Sequence, residues 1–501
     1  MELQKAKELF KKSNAELGAY NHALGVLYYD QDTAAPKNAS AGFATTMGIM
    51  SEITYKLTVN DERIEAIRML YAHRDELDLI TRREVEEEHR NMTFMKNIPM
   101  NEYTEYSTLL AEARDKWVEA KQKNEYGLFE PCLERIVEFQ KKFANYQHSD
   151  LCPYDFWLNE YERGASIKML DEFFGKLRSA IVPLIAKIMS EGSKIDTSFI
   201  ETSYPVPVQR TLSDYLMKVM SINRDDCAIG EVEHPYTTEF NKHDVRITTH
   251  YFEDAVISSM YSVIHEGGHA LYELNTADEL IGSPLASGAS MGIHESQSRF
   301  FENIIGRSKA FINYVFPEIK RLFPEQLKDV DSNQFYLAVN KAEPSLIRTE
   351  ADELTYCLHI MVRYELEKRL MDGSLTTKEL PKEWNRLYKE YLGIDVPSDS
   401  EGVLQDSHWS GGSIGYFPSY ALGSAYGAQI YSSMKKDLDV DKLVSEGKIS
   451  EIVDWLTERI YRFGCVKTPA ELIMNACGEE FNADYYVEYL TNKFKEIYNI
   501  K

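Results

Sequence analysis

The chain is poor in the features that would place it in most functional classes. It has six cysteines among 501 residues, at 132, 152, 227, 357, 465 and 477, and none forms a C-x-x-C pair. That scatter argues against a disulfide frame and a cysteine zinc cage and reads as reduced, mostly buried thiols. No apolar run approaches the ~18 residues that a membrane-spanning helix needs. The opening residues, M-E-L-Q-K-A-K-E-L-F-K-K, lack the apolar core of a signal peptide, so a cytoplasmic protein is expected. Basic residues are few, 56 against 80 acidic ones, and the formal charge of −24 argues against nucleic acid or an anionic membrane as partner. Internal repeats and low-complexity linkers are also missing, so one domain over residues 1–501 is expected.

What the chain does have is concentrated at 254–274, D-A-V-I-S-S-M-Y-S-V-I-H-E-G-G-H-A-L-Y-E-L. Val263, Ile264, Ala270 and Leu271 predict a buried helix around His265-Glu266-Gly267-Gly268-His269. On a helix, side chains four positions apart lie only about 40° apart around the axis, so His265 and His269 can reach one metal ion while Glu266 stands beside its water. The two glycines are costly in a helix, roughly 1 kcal/mol each against alanine, which implies that something approaches them closely.

The rest reads as mostly helical. Helices are predicted at 1–23, 41–57, 60–74, 78–97, 100–124, 130–147 and 166–195, with a turn-rich stretch before Pro36. After prolines 205 and 207 the pattern changes: D-V-R-I-T-T (244–249) alternates with period 2, predicting a strand that presents Asp244, Arg246 and Thr248 and forms the edge of a substrate cleft. Further helices are expected at 291–307, 309–323, 333–342, 345–371, 377–391, 423–436, 449–463, 469–477 and 483–498. Residues 396–422 form a long irregular segment whose tryptophan and tyrosines argue for order.

A catalytic zinc needs one more protein ligand and an open position for water. The extended H-E-x-x-H-x-x-G-x-x-H pattern fails, because Tyr272 and Asn275 occupy its last two positions. His294 and Glu295 are the candidates, with Glu302 behind them, and spacing does not choose between the first two.

The ordered set H-P-Y (234–236), D-V-R-I-T (244–248), H-E-G-G-H (265–269), H-E-S-Q (294–297), I-R-T-E-A-D (347–352) and G-V-L-Q-D-S-H-W (402–409) resembles the carboxypeptidase Taq family of zinc metallocarboxypeptidases. Tyr29-Asp30-Gln31-Asp32-Thr33 and P-A-E-L-I (469–473) are similar to its terminal regions. Tyr236 and Tyr29 depart from the family's usual phenylalanine and tryptophan. The resemblance implies a helical body of two lobes flanking a deep groove, a small β-element beside the motif helix, and a homodimer. It also implies Glu295 as third ligand of a zinc ion, with cobalt possible in its place.

The chemistry expected is hydrolysis of the C-terminal peptide bond of peptides with a free C-terminus. A metal-activated water attacks, and Glu266 serves as general base and then general acid. Tyr420 and His408 are candidate donors to the oxyanion. Arg348 or Arg246 is expected to hold the substrate carboxylate by a two-pronged hydrogen bond, Arg348 otherwise pairing with Asp352 and Arg246 with Asp244. Asp406 and Gln405 either shape a subsite or brace a loop, and His234 is a groove or loop contact. A related helical oligopeptidase or dipeptidyl carboxypeptidase is the alternative.

Overall fold

The computed structural model describes residues 1–500. It is mostly α-helical, and one continuous hydrophobic core runs from Ile98 to Ile500. The N-terminal helices Leu3–Thr33, Ser40–Thr58 and Asp61–Ala72 lie to one side, where Ala6, Phe10, Ala66, Ile67, Leu70 and Val85 form a smaller separate core.

Three strands interrupt the helices: β1 (Cys227–Glu231), β2 (Thr237–Asn241) and β3 (Asp244–Thr249). They form one sheet in the order β1-β3-β2, with β1 parallel and β2 antiparallel to β3. The period-2 expectation for 244–249 is therefore met, but β3 is the central strand, hydrogen-bonded on both sides, and the edges belong to β1 and β2. Val245, Ile247 and Thr249 are buried on the face that meets the motif helix. Arg246 points the other way. Its guanidinium carbon lies 5.0 Å from the Tyr29 ring centroid and 4.7 Å from that of Phe240.

The motif helix spans Val256–Leu274. Behind it, a helix at Met291–Arg299 runs into a widened π-helical turn, Phe300–Ile305. A third helix, Pro418–Asp437, covers the Met291–Arg299 helix from the opposite side. Glycines set how closely the three pack. A Cβ on Gly268 would stand 2.6 Å from the Gln297 carbonyl oxygen, and one on Gly423 would stand 2.7 Å from Cβ of Glu295. A Cβ on Gly267 would meet Met220 at 2.8 Å. The H-E-G-G-H glycines thus admit a neighbouring backbone and a packed methionine, not a substrate.

Three expectations need correction. The first helix continues to Thr33 through the stretch expected to turn, because no glycine or proline falls between Gly25 and Pro36 and the helix is held against the sheet by Gly25 under Phe240. The helix expected from 345 starts at Tyr356: the Asp352 carboxylate accepts hydrogen bonds from the amides of Leu354 and Thr355 and folds the preceding chain into turns. Asp352 is thereby committed and does not pair with Arg348. Finally, the helix expected from 423 begins at Pro418, so Tyr420 is helical. The sequence reading also passed over the short helix Pro153–Tyr161.

Candidate active site

His265 and His269 stand on one face of the motif helix, and Glu295 faces them from the Met291–Arg299 helix. Glu295 Oε2 lies 3.8 Å from His265 Nε2 and 3.6 Å from His269 Nε2. Their ligand atoms all fall within 4.8 Å of one another. Three donors so spaced fit one divalent ion at about 2.0–2.2 Å from each and leave a side open, the pattern of a catalytic site.

The neighbours fix which nitrogen of each ring is available. His265 Nδ1 lies 2.8 Å from Glu302 Oε2, an acceptor, so it carries the proton and Nε2 keeps its lone pair. His269 Nδ1 lies 2.6 Å from His294 Nδ1, and His294 Nε2 lies 2.6 Å from Glu273 Oε1. Glu273 accepts a hydrogen bond from His294 Nε2–H, His294 Nδ1 then accepts from His269 Nδ1–H, and His269 Nε2 is left free. Of the candidates for third donor, Glu295 therefore joins the histidine pair, while His294 and Glu302 each orient one ring. Glu302 is brought there by the π-turn, whose extra residue per turn swings it under His265.

Charge is balanced by Arg299, which donates to Glu295 Oε1 at 2.7 Å and to Glu302 Oε2 at 3.2 Å. Burial opposes ionisation of Glu295, but Arg299 and His265 outweigh it and hold the carboxyl well below the usual range. Glu302 is likewise brought down to about 2 against burial, by Arg299 and His265. Burial lowers His269 to about 3, which keeps its ring neutral. Glu266 behaves oppositely: burial raises its pKa, with His265 and a hydrogen bond from Thr237 pulling the other way. That bond, Thr237 Oγ1 to Glu266 Oε2, is 2.6 Å long and comes from the edge strand β2. Thr237 was missed in the sequence, where the short strand T-T-E-F-N gave no clear alternation.

On another wall, His408 Nε2 lies 3.2 Å from the Tyr420 hydroxyl. The Tyr416 ring stands edge-on to Tyr420, with centroids 5.2 Å apart. Burial raises both phenols, and each also feels the charge of Glu295. Burial lowers His408 to about 4, so its ring is neutral. Tyr416, which the sequence reading did not single out, belongs to the same wall. Arg348 is buried beside them, its guanidinium carbon 5.1 Å from the Tyr420 ring centroid. Asp406 Oδ1 accepts from Arg348 Nε at 3.0 Å and from Nη2 at 2.8 Å, and the Tyr356 hydroxyl lies 3.1 Å from Nη1.

Gln405 Oε1 accepts from the Arg348 amide at 2.9 Å and from Arg363 at 2.8 Å. Asp406 and Gln405 thus brace the loop and Arg348. Arg246 is held apart from this group by two bonds to Asp244, at 2.8 and 2.9 Å. His234 is exposed on the β1–β2 connection. A cavity of about 410 Å³ is lined by His294, Met291, Tyr161 and Arg163.

A helical body holding an H-E-x-x-H pair and a carboxylate from a following helix defines a metallopeptidase. Comparison with known proteins makes this specific. The model of the carboxypeptidase Taq (M32) metallopeptidase family matches residues 9–494, and the chain belongs to that family. It is a metallocarboxypeptidase, a peptide hydrolase that uses a divalent metal. The sequence is 41% identical to Carboxypeptidase 1 of Bacillus subtilis (strain 168) over 499 residues, 99% of this chain and 100% of that one. It is 34% identical to Thermostable carboxypeptidase 1 of Pyrococcus furiosus, covering 95% of this chain and 96% of the other. The crystal structure of M32 carboxypeptidase from Deinococcus radiodurans R1 superposes with a TM-score of 0.94 at 32% identity, over 99% of this chain and 100% of that one.

Proposed function

We propose that the protein is a zinc carboxypeptidase that removes single residues from peptide C-termini, with Glu266 carrying the proton. One observation supports this most: the buried Glu266 carboxyl, pinned by Thr237 at 2.6 Å, feels the charges of both His265 and Glu295 of the three-donor set. The two nitrogens and one carboxylate oxygen suit zinc, with cobalt possible in its place. Zinc, when bound, supplies Lewis acidity that acidifies water and polarises the scissile carbonyl.

Glu266 takes the proton of the attacking water and returns it to the leaving amine. Its upward-shifted pKa suits both halves of that exchange. Tyr420 offers its phenol proton to the developing oxyanion, which it can do when His408 Nε2–H donates to the phenol oxygen. Arg348 receives the substrate carboxylate, since three of its five N–H groups are committed to Asp406 and Tyr356 and two are not. Arg246 sits on the sheet face away from Glu266 and supports the first helix. Asp406 and Gln405 keep Arg348 in place, and His234 contributes only to longer peptides.

A cytoplasmic location is supported by six unpaired thiols, and no helix among the described residues is long and apolar enough to cross a membrane. The homodimer rests on the family resemblance, and sedimentation would test it. The deciding experiment is hydrolysis of N-blocked peptides of two to eight residues by the zinc-loaded protein, with products identified by mass. Stepwise loss of single C-terminal residues is expected. Release of dipeptides or internal fragments would contradict it.

A further inference from the structure

The wall that carries His408, Tyr416 and Tyr420 contains a loop with little regular structure of its own, and its shape is set from outside. The helix Tyr356–Asp372 presents Arg363 and Glu367 one turn apart. Arg363 grips the loop ahead of His408: its Nε donates to Asp406 Oδ2 at 2.7 Å and its Nη2 to Gln405 Oε1 at 2.8 Å. Glu367 grips it behind. Its Oε1 accepts from the Trp409 indole at 2.7 Å, and its Oε2 accepts from the Gly415 amide at 2.9 Å and from the Tyr154 hydroxyl at 2.9 Å. Gly415 takes the left-handed conformation, φ +95°, with Trp157 pressed against it, so its amide is placed without freedom to turn.

We infer that Glu367 is a positioning residue for catalysis, fixing His408 and Tyr416, and through them the Tyr420 hydroxyl, relative to Glu295. The inference rests on the reading of Tyr420 and His408 given above. Glu367 is fully buried, and the three groups around it are all donors, so the site calls for a group that only accepts. A glutamine there would keep one accepting oxygen and turn N–H groups towards another donor. Burial pushes the carboxyl up to about 7 while the three donors and Arg363 oppose it. The other titratable group that faces it is Tyr161. A misplacement of about 1 Å in a catalytic wall can cost up to about 100-fold in rate, which makes a remote brace measurable.

The test is a double-mutant cycle with kcat, KM and bound zinc measured for Glu367→Gln, Tyr420→Phe, His408→Ala and the combinations with Glu367→Gln. Glu367→Gln is expected to retain zinc and to lower kcat about tenfold or more, with a smaller change in KM. In the Tyr420→Phe or His408→Ala background its cost should fall below about threefold. If Glu367→Gln does not fold, Trp409→Phe removes one of the three donors alone and should lower kcat about threefold. An unchanged kcat in Glu367→Gln or in Trp409→Phe would overturn the inference, as would an undiminished cost of Glu367→Gln in either background. Unchanged kcat in both Tyr420→Phe and His408→Ala would instead remove the reading of those two residues, and the inference with it.

Discussion

Two helices of this molecule, Ser40–Thr58 and Val256–Leu274, are each 19 residues long and both are rich in apolar side chains. The first buries none of them; Ile49 and Tyr55 are 57% and 59% exposed. The second buries thirteen residues, two of its glycines included. Composition does not separate the two, but neighbours do. The N-terminal helix leans on the Leu3–Thr33 helix and little else, whereas the motif helix is enclosed by the sheet, by Val206–Val219 and by Met291–Arg299. Close packing thus surrounds the helix that carries His265 and His269, and the N-terminal layer stays loosely held.

The sharpest way to break the contrast is at the proposed ligands. Glu295→Ala should abolish zinc binding, exceeding the 10- to 100-fold loss typical of removing an outer hydrogen-bond partner. Zinc titration of the apo-protein would show it. Retained stoichiometric zinc would mean that His294 or Glu302 had taken over. Next comes packing: Ile264→Ala in the motif helix should cost about 2–5 kcal/mol in urea unfolding. Gly423→Ala should cost about 1–3 kcal/mol by overpacking against Glu295, and should weaken zinc binding at the same time.

His408 gives a smaller, pH-dependent effect. Burial holds its pKa at about 4 in the fold against 6.5 ordinarily, so below pH 6.5 the unfolded chain binds the extra proton. Its contribution to stability is whole above about pH 6.5 and declines towards pH 4, and His408→Gln should show a shallower acid loss than wild type. Smallest of all, Ile49→Ala should stay within about 0.5 kcal/mol of wild type. In hydrogen exchange, amides of 40–58 should exchange well before those of 256–274, and equal protection would erase the comparison.

Much of the centre was legible in the sequence, because its constraints are local. The four-residue spacing of His265 and His269 follows from helix geometry, and the apolar flanks follow from burial. Glu295 needed the resemblance, since adjacency to His294 left both open; only the fold shows the His294 ring turned towards His269 Nδ1 and the Glu295 carboxylate turned towards Nε2 of both histidines. Thr237, Glu273 and Glu367 were illegible for another reason. Each acts through a contact with a distant segment, and no spacing within its own segment marks it. Arg348 shows the limit of local reasoning: an i,i+4 partner was at hand in Asp352, but Asp352 closes a turn and Asp406 from the far loop takes its place.

The central claim is that Glu266 does the proton transfer at a metal held by three other residues. Its most direct test is Glu266→Gln, measured for bound zinc and for hydrolysis of a blocked dipeptide. The expected result is full zinc occupancy with kcat lowered by about 100-fold or more. Full occupancy with kcat near that of wild type would contradict the account.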